Sequence, residues 1–200
     1  MKLGVPFYPQ TSTTNCGPAA LQMILAYFGN PAELSVIEHA ARMELGKGLH
    51  TIQLALAAAR LGFSVQFFTK SLGLNPAYRE MDFYKKYSST TKDRMASFVL
   101  EARRAHVGLA EKTFSLGELL SHVQEDSLAL VLLDWHVVMG VAEYQGHFVP
   151  IAGFDDWNVF VHNPGPKDGR AFVPIERALF DRARKSLGTD EDCIVISKKG

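Results

Sequence analysis

Apolar residues are densest early in the chain, where Ala19, Ala20, Leu21, Met23, Ile24, Leu25, Tyr27 and Phe28 leave almost no polar face. A helix hydrophobic on nearly all sides is a buried one. It starts near Cys16, with Asn15 or Thr14 as candidate caps and Pro18 in the first turn. Gly29 ends it and Pro31 prevents its resumption. Ser35-x-x-Glu38 has the form of a capping box for a second helix to about Met43. His50-Thr51 opens Ile52–Leu61, a strong third helix closed by Gly62. Phe63–Phe68 alternates imperfectly and reads as a strand.

The middle is aromatic and amphipathic. Pro76–Tyr87 carries Tyr78, Met81, Phe83, Tyr84 and Tyr87, a helical pattern, and Thr91 to about His106 puts Met95, Phe98, Val99 and Ala102 on one face. This stretch, about 70–110, is either packing or part of a substrate groove, and its pattern does not separate the two. Ser115-x-x-Glu118 predicts a short capped helix to Gln124. Leu128–Leu133 is a continuous apolar run of strand length, suited to a central strand. The pattern of 137–144 admits a strand. His147–Phe154 and Asn158–Asn163 read as a hairpin turning at Phe154–Asn158. Pro174–Leu187 reads as a helix, and Cys193–Ser197 as a last strand. Helices fill the first half and strands cluster in the second, without regular βαβ alternation, which predicts an α+β fold in a single domain over 1–200.

Composition narrows the function classes. The 21 basic and 21 acidic residues cancel, unlike the basic excess of most nucleic-acid binders, so no nucleic-acid partner is expected. No apolar run reaches the length of a membrane span. The start lacks a signal-peptide core, and a cytoplasmic protein is expected. Two cysteines do not make a secreted disulfide framework, and no Cys-x-x-Cys, His-Glu-x-x-His or calcium loop is present. Neither a metal nor another cofactor is expected.

Cys16 sits where a polar turn becomes the apolar helix. There its thiol faces unpaired backbone N–H groups and the positive end of the helix dipole. Alone, Cys-Gly-Pro equally fits a small buried residue at a helix start. A cysteine nucleophile needs a base and a group that orients the base. His147 opens one strand of the hairpin and Asn163 ends the other, symmetric about Asp155, so the pairing brings them together if both face one cleft. Cys16 is then expected as a thiolate paired with the His147 imidazolium, and Cys193, in an apolar strand, as inert core. His136, after the central strand, is the rival base. His162 points away from Asn163's face, while His39, His50, His106 and His122 read as exposed or structural. Asp155 and Asp156 read as turn residues.

Gln10, then Cys16-Gly-Pro at a helix start, then His147-Phe-Val and Asn163-Pro, resembles in order and spacing the papain-like bacteriocin-processing peptidases. Those enzymes cut leader peptides after a double glycine. The resemblance covers Gln10 to about Pro164. It implies a papain-like cysteine peptidase fold, with a helical lobe (about 1–110) carrying the cysteine and an antiparallel sheet lobe (about 111–200) carrying the histidine. It further implies a Cys16–His147–Asn163 triad, Gln10 in the oxyanion hole beside the Cys16 N–H, and a peptide or protein substrate. The family usually has aspartate where this chain has Asn163, which lessens support for an imidazolium. The same residues would serve acyl transfer to an amine, as in transglutaminase-like relatives, and a non-catalytic peptide-binding module is the other alternative. The oligomeric state is left open.

Overall fold

A computed structural model describes residues 1–199. The first apolar run forms α1 (Cys16–Tyr27), with Leu21, Met23, Ile24 and Leu25 wholly buried. Each such side chain contributes about 1.5–3 kcal/mol of hydrophobic stabilisation. The backbone leaves the helix at Gly29 with φ 78°, a conformation glycine adopts without steric cost. Next come α2 (Leu34–Ala40) and α3 (Thr51–Arg60), which pack on α1 and on each other. β1 (Ser64–Thr69) leads into a 3₁₀ turn (Pro76–Glu80), α4 (Asp82–Tyr87) and α5 (Lys92–Arg104), which packs on α3. β2 (Gly108–Glu111) and α6 (Leu116–Ser121) precede β3 (Ser127–Asp134). The second half continues with α7 (Trp135–Met139), β4 (Gly146–Phe154), β5 (Asn158–Asn163) and β6 (Arg170–Glu176). It ends with α8 (Arg177–Arg184) and β7 (Cys193–Ser197).

The strands form one seven-stranded sheet in the order β2-β1-β7-β3-β4-β5-β6. β1 and β2 are parallel and the other pairs antiparallel. β3 is central and buried along nearly its whole length, as its unbroken apolar run predicts. The α+β class is as expected, and α1 lies directly against β4. β1, expected over Phe63–Phe68, and β2, which was not expected, join the sheet at its edge.

Several local expectations are corrected. Ser35 lies inside α2 and caps nothing; the helix begins after Glu33. Ser115 and Glu118 do form a reciprocal box, Ser115 N donating to the Glu118 carboxylate (2.8 Å) and Glu118 N to the Ser115 hydroxyl (3.2 Å). The aromatic stretch 76–87 breaks at Met81, whose extended backbone separates the 3₁₀ turn from α4. Residues 135–139 form a short helix where a strand over 137–144 was admitted. The predicted helix from Pro174 starts only at Arg177, because Phe160 and Val159 pair with Pro174 and Ile175 and hold them in β6.

Candidate active site

Cys16 is the first residue of α1, half-buried. Asn15 occupies the cap position but its side chain does not cap. Its Oδ1 instead accepts from Ser12 N (2.9 Å) and Thr11 N (3.2 Å), and its Nδ2 donates to Thr11 Oγ1 (2.9 Å) and Glu38 (2.8 Å). The amide therefore ties down the Gln10–Cys16 turn and leaves the first helical N–H groups without a side-chain cap, facing the thiol. Gly17 lets the helix start approach the sheet: a Cβ there would lie 2.8 Å from Leu54 Cδ1 and 3.1 Å from Phe148 Cδ2.

His147 and Asn163 come together as expected. His147 Nε2 lies 2.9 Å from Asn163 Oδ1, and both residues are buried. The reason is not the symmetry expected of the hairpin. Phe154 pairs with Val159, and a bulge shifts the register between Ile151 and Gly153. The turn is thus centred beyond Asp155, and the two residues are offset rather than opposite. The ring reaches across a diagonal, a distance long side chains can span. The orientation of the Asn163 amide is fixed independently: Gly165 N donates to Oδ1 (2.9 Å) and Nδ2 donates to Asp168 O (3.2 Å). Since Oδ1 is an acceptor, His147 donates through Nε2–H, and its Nδ1 lone pair is left free. The Trp135 ring covers the imidazole at a centroid distance of 5.1 Å.

The expected thiolate–imidazolium pair is not favoured by this environment. Burial pushes the Cys16 thiol up, against the lowering effect of N–H groups at Phe148, Gly17 and Cys16 itself. Burial also pushes His147 down to about 4, outweighing the Asn163 bond and the Asp168 charge. Desolvation disfavours both charged forms, which favours a neutral thiol and a neutral imidazole. Cys193 is a buried free thiol pushed up to about 12 by desolvation, matching its reading as core.

Gln10 is buried beside the site, its N–H donating to Pro164 O (2.8 Å), next to Asn163. Its Nε2 donates to Ser12 O (2.6 Å) and its Oε1 has no partner. Its side chain does not line the cavity described below. His136 is held on Glu143 O (2.7 Å) and is absent from the cavity wall as well. His162 is wholly buried, donating from Nε2 to Val5 O (2.9 Å) and accepting from Phe172 N at Nδ1 (3.0 Å). Asp155 is a turn residue, accepting from Trp157 N (2.9 Å) and Asn158 N (2.7 Å).

Cys16 and His147 share the wall of a cavity of about 280 Å³. Tyr78, Phe83 and Tyr84 from the aromatic middle stretch line it too, so that stretch forms part of the cavity wall. Sequence reasoning missed three lining residues. His50, read as exposed or structural, is pushed to about 4 by burial and lies 3.1 Å from Ser88 Oγ through Nε2. Tyr144 stacks on Tyr84 at 5.8 Å. Asp192 immediately precedes β7. Only the aromatic clustering at 78–87 signalled this wall in the sequence. Among the described residues, no three His, Cys, Asp or Glu side chains gather into a metal-holding group.

Fold and site together define a papain-like α+β domain in which a cysteine at a helix start and a histidine on the sheet line one cavity. Solved structures share this fold. The peptidase domain of Streptococcus ComA, a bifunctional ABC transporter, matches at TM-score 0.60 and 12% identity, covering 98% of this chain and 99% of that one. A double-glycine-motif protease from an AMS/PCAT transporter, solved with its leader peptide, matches at 0.60 and 15%, covering 99% and 94%. A C39-like peptidase from Bacillus anthracis matches at 0.61 and 16%, covering 100% and 99%. By sequence, the chain belongs to the family described as guanylylate cyclase, whose model matches residues 5–196. It is 24% identical over 210 residues to Guanylyl cyclase 1 of Arabidopsis thaliana, covering 98% of this chain and 76% of that protein.

Proposed function

We propose that the cleft carries out thiol-dependent acyl chemistry, as a cysteine peptidase acting on a peptide or protein. The supporting observation is the His147 Nε2–Asn163 Oδ1 bond at 2.9 Å, which leaves Nδ1 free in the cavity that Cys16 lines. On this reading Nδ1 takes the thiol proton as sulfur attacks the carbonyl carbon. The proton then passes to the leaving amine, and water releases the acyl-enzyme. Asn163 keeps the ring in the Nε2–H form. The Cys16 N–H is the first candidate oxyanion donor; the Gln10 amide, which donates to Ser12 O (2.6 Å) off the cavity wall, would have to turn toward the substrate to be the second. A neutral imidazole near pH 7 is in the right state to act as base. Acyl transfer to an amine uses the same groups; hydroxylamine trapping separates it from hydrolysis. Both cysteines are free thiols, which fits the cytoplasmic location we assign. No helix among the described residues is long and apolar enough to cross a membrane. The leader peptide bound by one structural relative makes precursor peptides the first substrates to test. Cys16→Ala should fold and lose all turnover of such peptides; retained hydrolysis would overturn the mechanism.

Family membership supports a second reading, nucleotide cyclisation. That reaction needs positive charge around a triphosphate. The cavity wall offers Arg79 and Lys85, and Lys85 is exposed and paired with Glu80 and Asp82. Deeper in, the wall carries Asp190 and Asp192, and the described residues provide no metal-holding cluster. The residues present do not fit a metal–triphosphate complex, and the peptidase reading takes precedence. Incubation with GTP and a divalent cation, with cyclic GMP measured by mass spectrometry, decides: Cys16-independent product would reverse the order.

A further inference from the structure

The end of the cavity away from Cys16 is built by the segment Gly188–Asp192. Asp190 and Glu191 both adopt left-handed backbone (φ 48° and 52°), uncommon for side chains without glycine's freedom. Surrounding bonds hold that conformation. Lys70 N donates to Asp190 O (2.8 Å), the hydroxyls of Tyr84 and Tyr144 donate to Gly188 O, and buried Arg184 pairs with Glu191 (3.2 Å). Strained backbone fixed from several sides points to function in the residue it aims. Here that residue is Asp192, whose side chain is buried in the cavity wall. Thr51 donates its hydroxyl to Oδ2; the nearby Thr69 hydroxyl donates to Ser71 O (3.1 Å), and Oδ1 has no hydrogen-bond partner. Burial pushes this carboxyl up to about 7, so its charged form is costly unless a donor or cation arrives.

Strand register sets the backbone spacing between Asp192 and the strand beside the thiol. Leu132 of β3 pairs with Phe148 of β4, and Leu132 N donates to Asp192 O (3.2 Å) on its other side. Asp192 therefore sits two strand spacings, about 10 Å, from Phe148, whose backbone N–H contacts the Cys16 thiol. Between them run apolar and aromatic walls, including Leu132, Ile52, Phe83 and the Tyr78–Tyr84–Tyr144 stack. An aliphatic stem on such walls, ending in a charged donor at a carboxylate, is the arrangement that long cationic side chains adopt.

We propose that Asp192 is a specificity-determining residue that receives a guanidinium or ammonium group carried by the substrate on a side chain reaching from the reacting carbonyl. The proposal rests on the peptidase reading for what the substrate is, but the cation site itself does not need the thiol. Agmatine, titrated by calorimetry into Cys16→Ala, should bind saturably. Butylurea, which keeps the four-carbon stem but has neither of agmatine's cationic groups, should not bind, and Cys16→Ala/Asp192→Asn should bind agmatine at least tenfold more weakly. Peptidyl chloromethyl ketones bearing arginine should label wild-type Cys16 at least tenfold faster than norleucine analogues, and Asp192→Asn should bring that ratio near one. Equal binding of agmatine and butylurea by the Asp192-containing protein overturns the proposal, and needs no Asp192 variant to fold. Asp192-dependent agmatine binding without any Cys16 labelling would retain the cation site and refute the peptidase reading.

Discussion

Replacing Asn163 with aspartate tests whether burial alone keeps the thiol and imidazole neutral. His147 is pushed down to about 4 and the Cys16 thiol is pushed up, both by burial, so the neutral pair is favoured over the ion pair. Asn163→Asp puts a carboxylate where Oδ1 lies, 2.9 Å from Nε2. At a charge separation of roughly 4 Å and an effective dielectric near 20, the attraction is about 4 kcal/mol, or roughly 3 pH units. Desolvation of the new carboxylate and its proximity to Asp168 O reduce that figure. A rise of the imidazole by 2–3 units, roughly 100- to 1,000-fold in ion-pair population, remains. The assay is iodoacetamide labelling from pH 5 to 10, with Cys16 and Cys193 resolved by mass spectrometry. Wild-type Cys16 should be labelled slowly at pH 6 and climb as an ordinary or weakened thiol does. Asn163→Asp should label much faster at pH 6 and show a plateau. A wild-type plateau between pH 5 and 8 would refute the neutral-pair argument, and an unchanged profile in Asn163→Asp would refute the electrostatic role of position 163.

Other positions give separate tests. Gly188→Ala, at φ 107° with its Cβ 2.8 Å from the Tyr144 ring, should cost about 1–3 kcal/mol in urea unfolding; an unchanged midpoint would show that the segment is not strained. Arg184→Met leaves Glu191, which is 8% exposed in its side chain, with Lys70 (2.8 Å) as its remaining cation, and should cost about 1–3 kcal/mol; a double-mutant cycle with Glu191→Gln should show coupling above about 0.5 kcal/mol, and simple additivity would refute the pairing. His50, pushed to about 4 by burial, contributes stability that is present above about 6.5 and lost as pH falls through 4, because the unfolded chain then binds the extra proton. Urea midpoints should drop over that window, and less in His50→Gln; an equal drop would assign the acid sensitivity elsewhere.

The helices and central strands were legible because burial writes itself as pattern. α1, α3 and β3 are apolar on most faces, and each formed within a few residues of its expected bounds. β2 and β6 were not, because their residues are largely half-exposed and their state is set by neighbours: Gln66–Thr69 hold β2, and Asn158–Val161 hold β6. The pairing of His147 with Asn163 was legible, though its register was not, since a bulge leaves no mark on a hydrophobic pattern. Burial disfavours the charged pair that the sequence suggests. Helix dipole and N–H groups could be inferred from Cys16's position, whereas the depth of burial that outweighs them depends on Trp135, Phe148 and the aromatic stretch closing over it. Asp192 gave no signal, because an acidic residue between Glu191 and Cys193 looks like an ordinary loop until its missing partner is seen.

The site's precision comes from backbone contacts more than from its side-chain bonds. Leu3 N donates to Ala152 O, Phe154 N to Met1 O and Gln10 N to Pro164 O, each at 2.8 Å. The N-terminal strap is thereby fastened along β4 and to the loop after β5, so Gln10 and Asn163 ride on one rigid piece despite their separation in sequence. α1 is set against the same strand, and Gly17 removes the Cβ that would hold its first turn away from Phe148. Cys16, His147, Asn163 and Gln10 are thus placed by a helix start, two adjacent strands and a strap, each fixed by main-chain geometry that tolerates little drift. This is why four short motifs, widely spaced and individually weak, carried so much information together. Each marks a point where the backbone must pass close to another segment, and the order of those points along the chain specifies how the cleft is assembled.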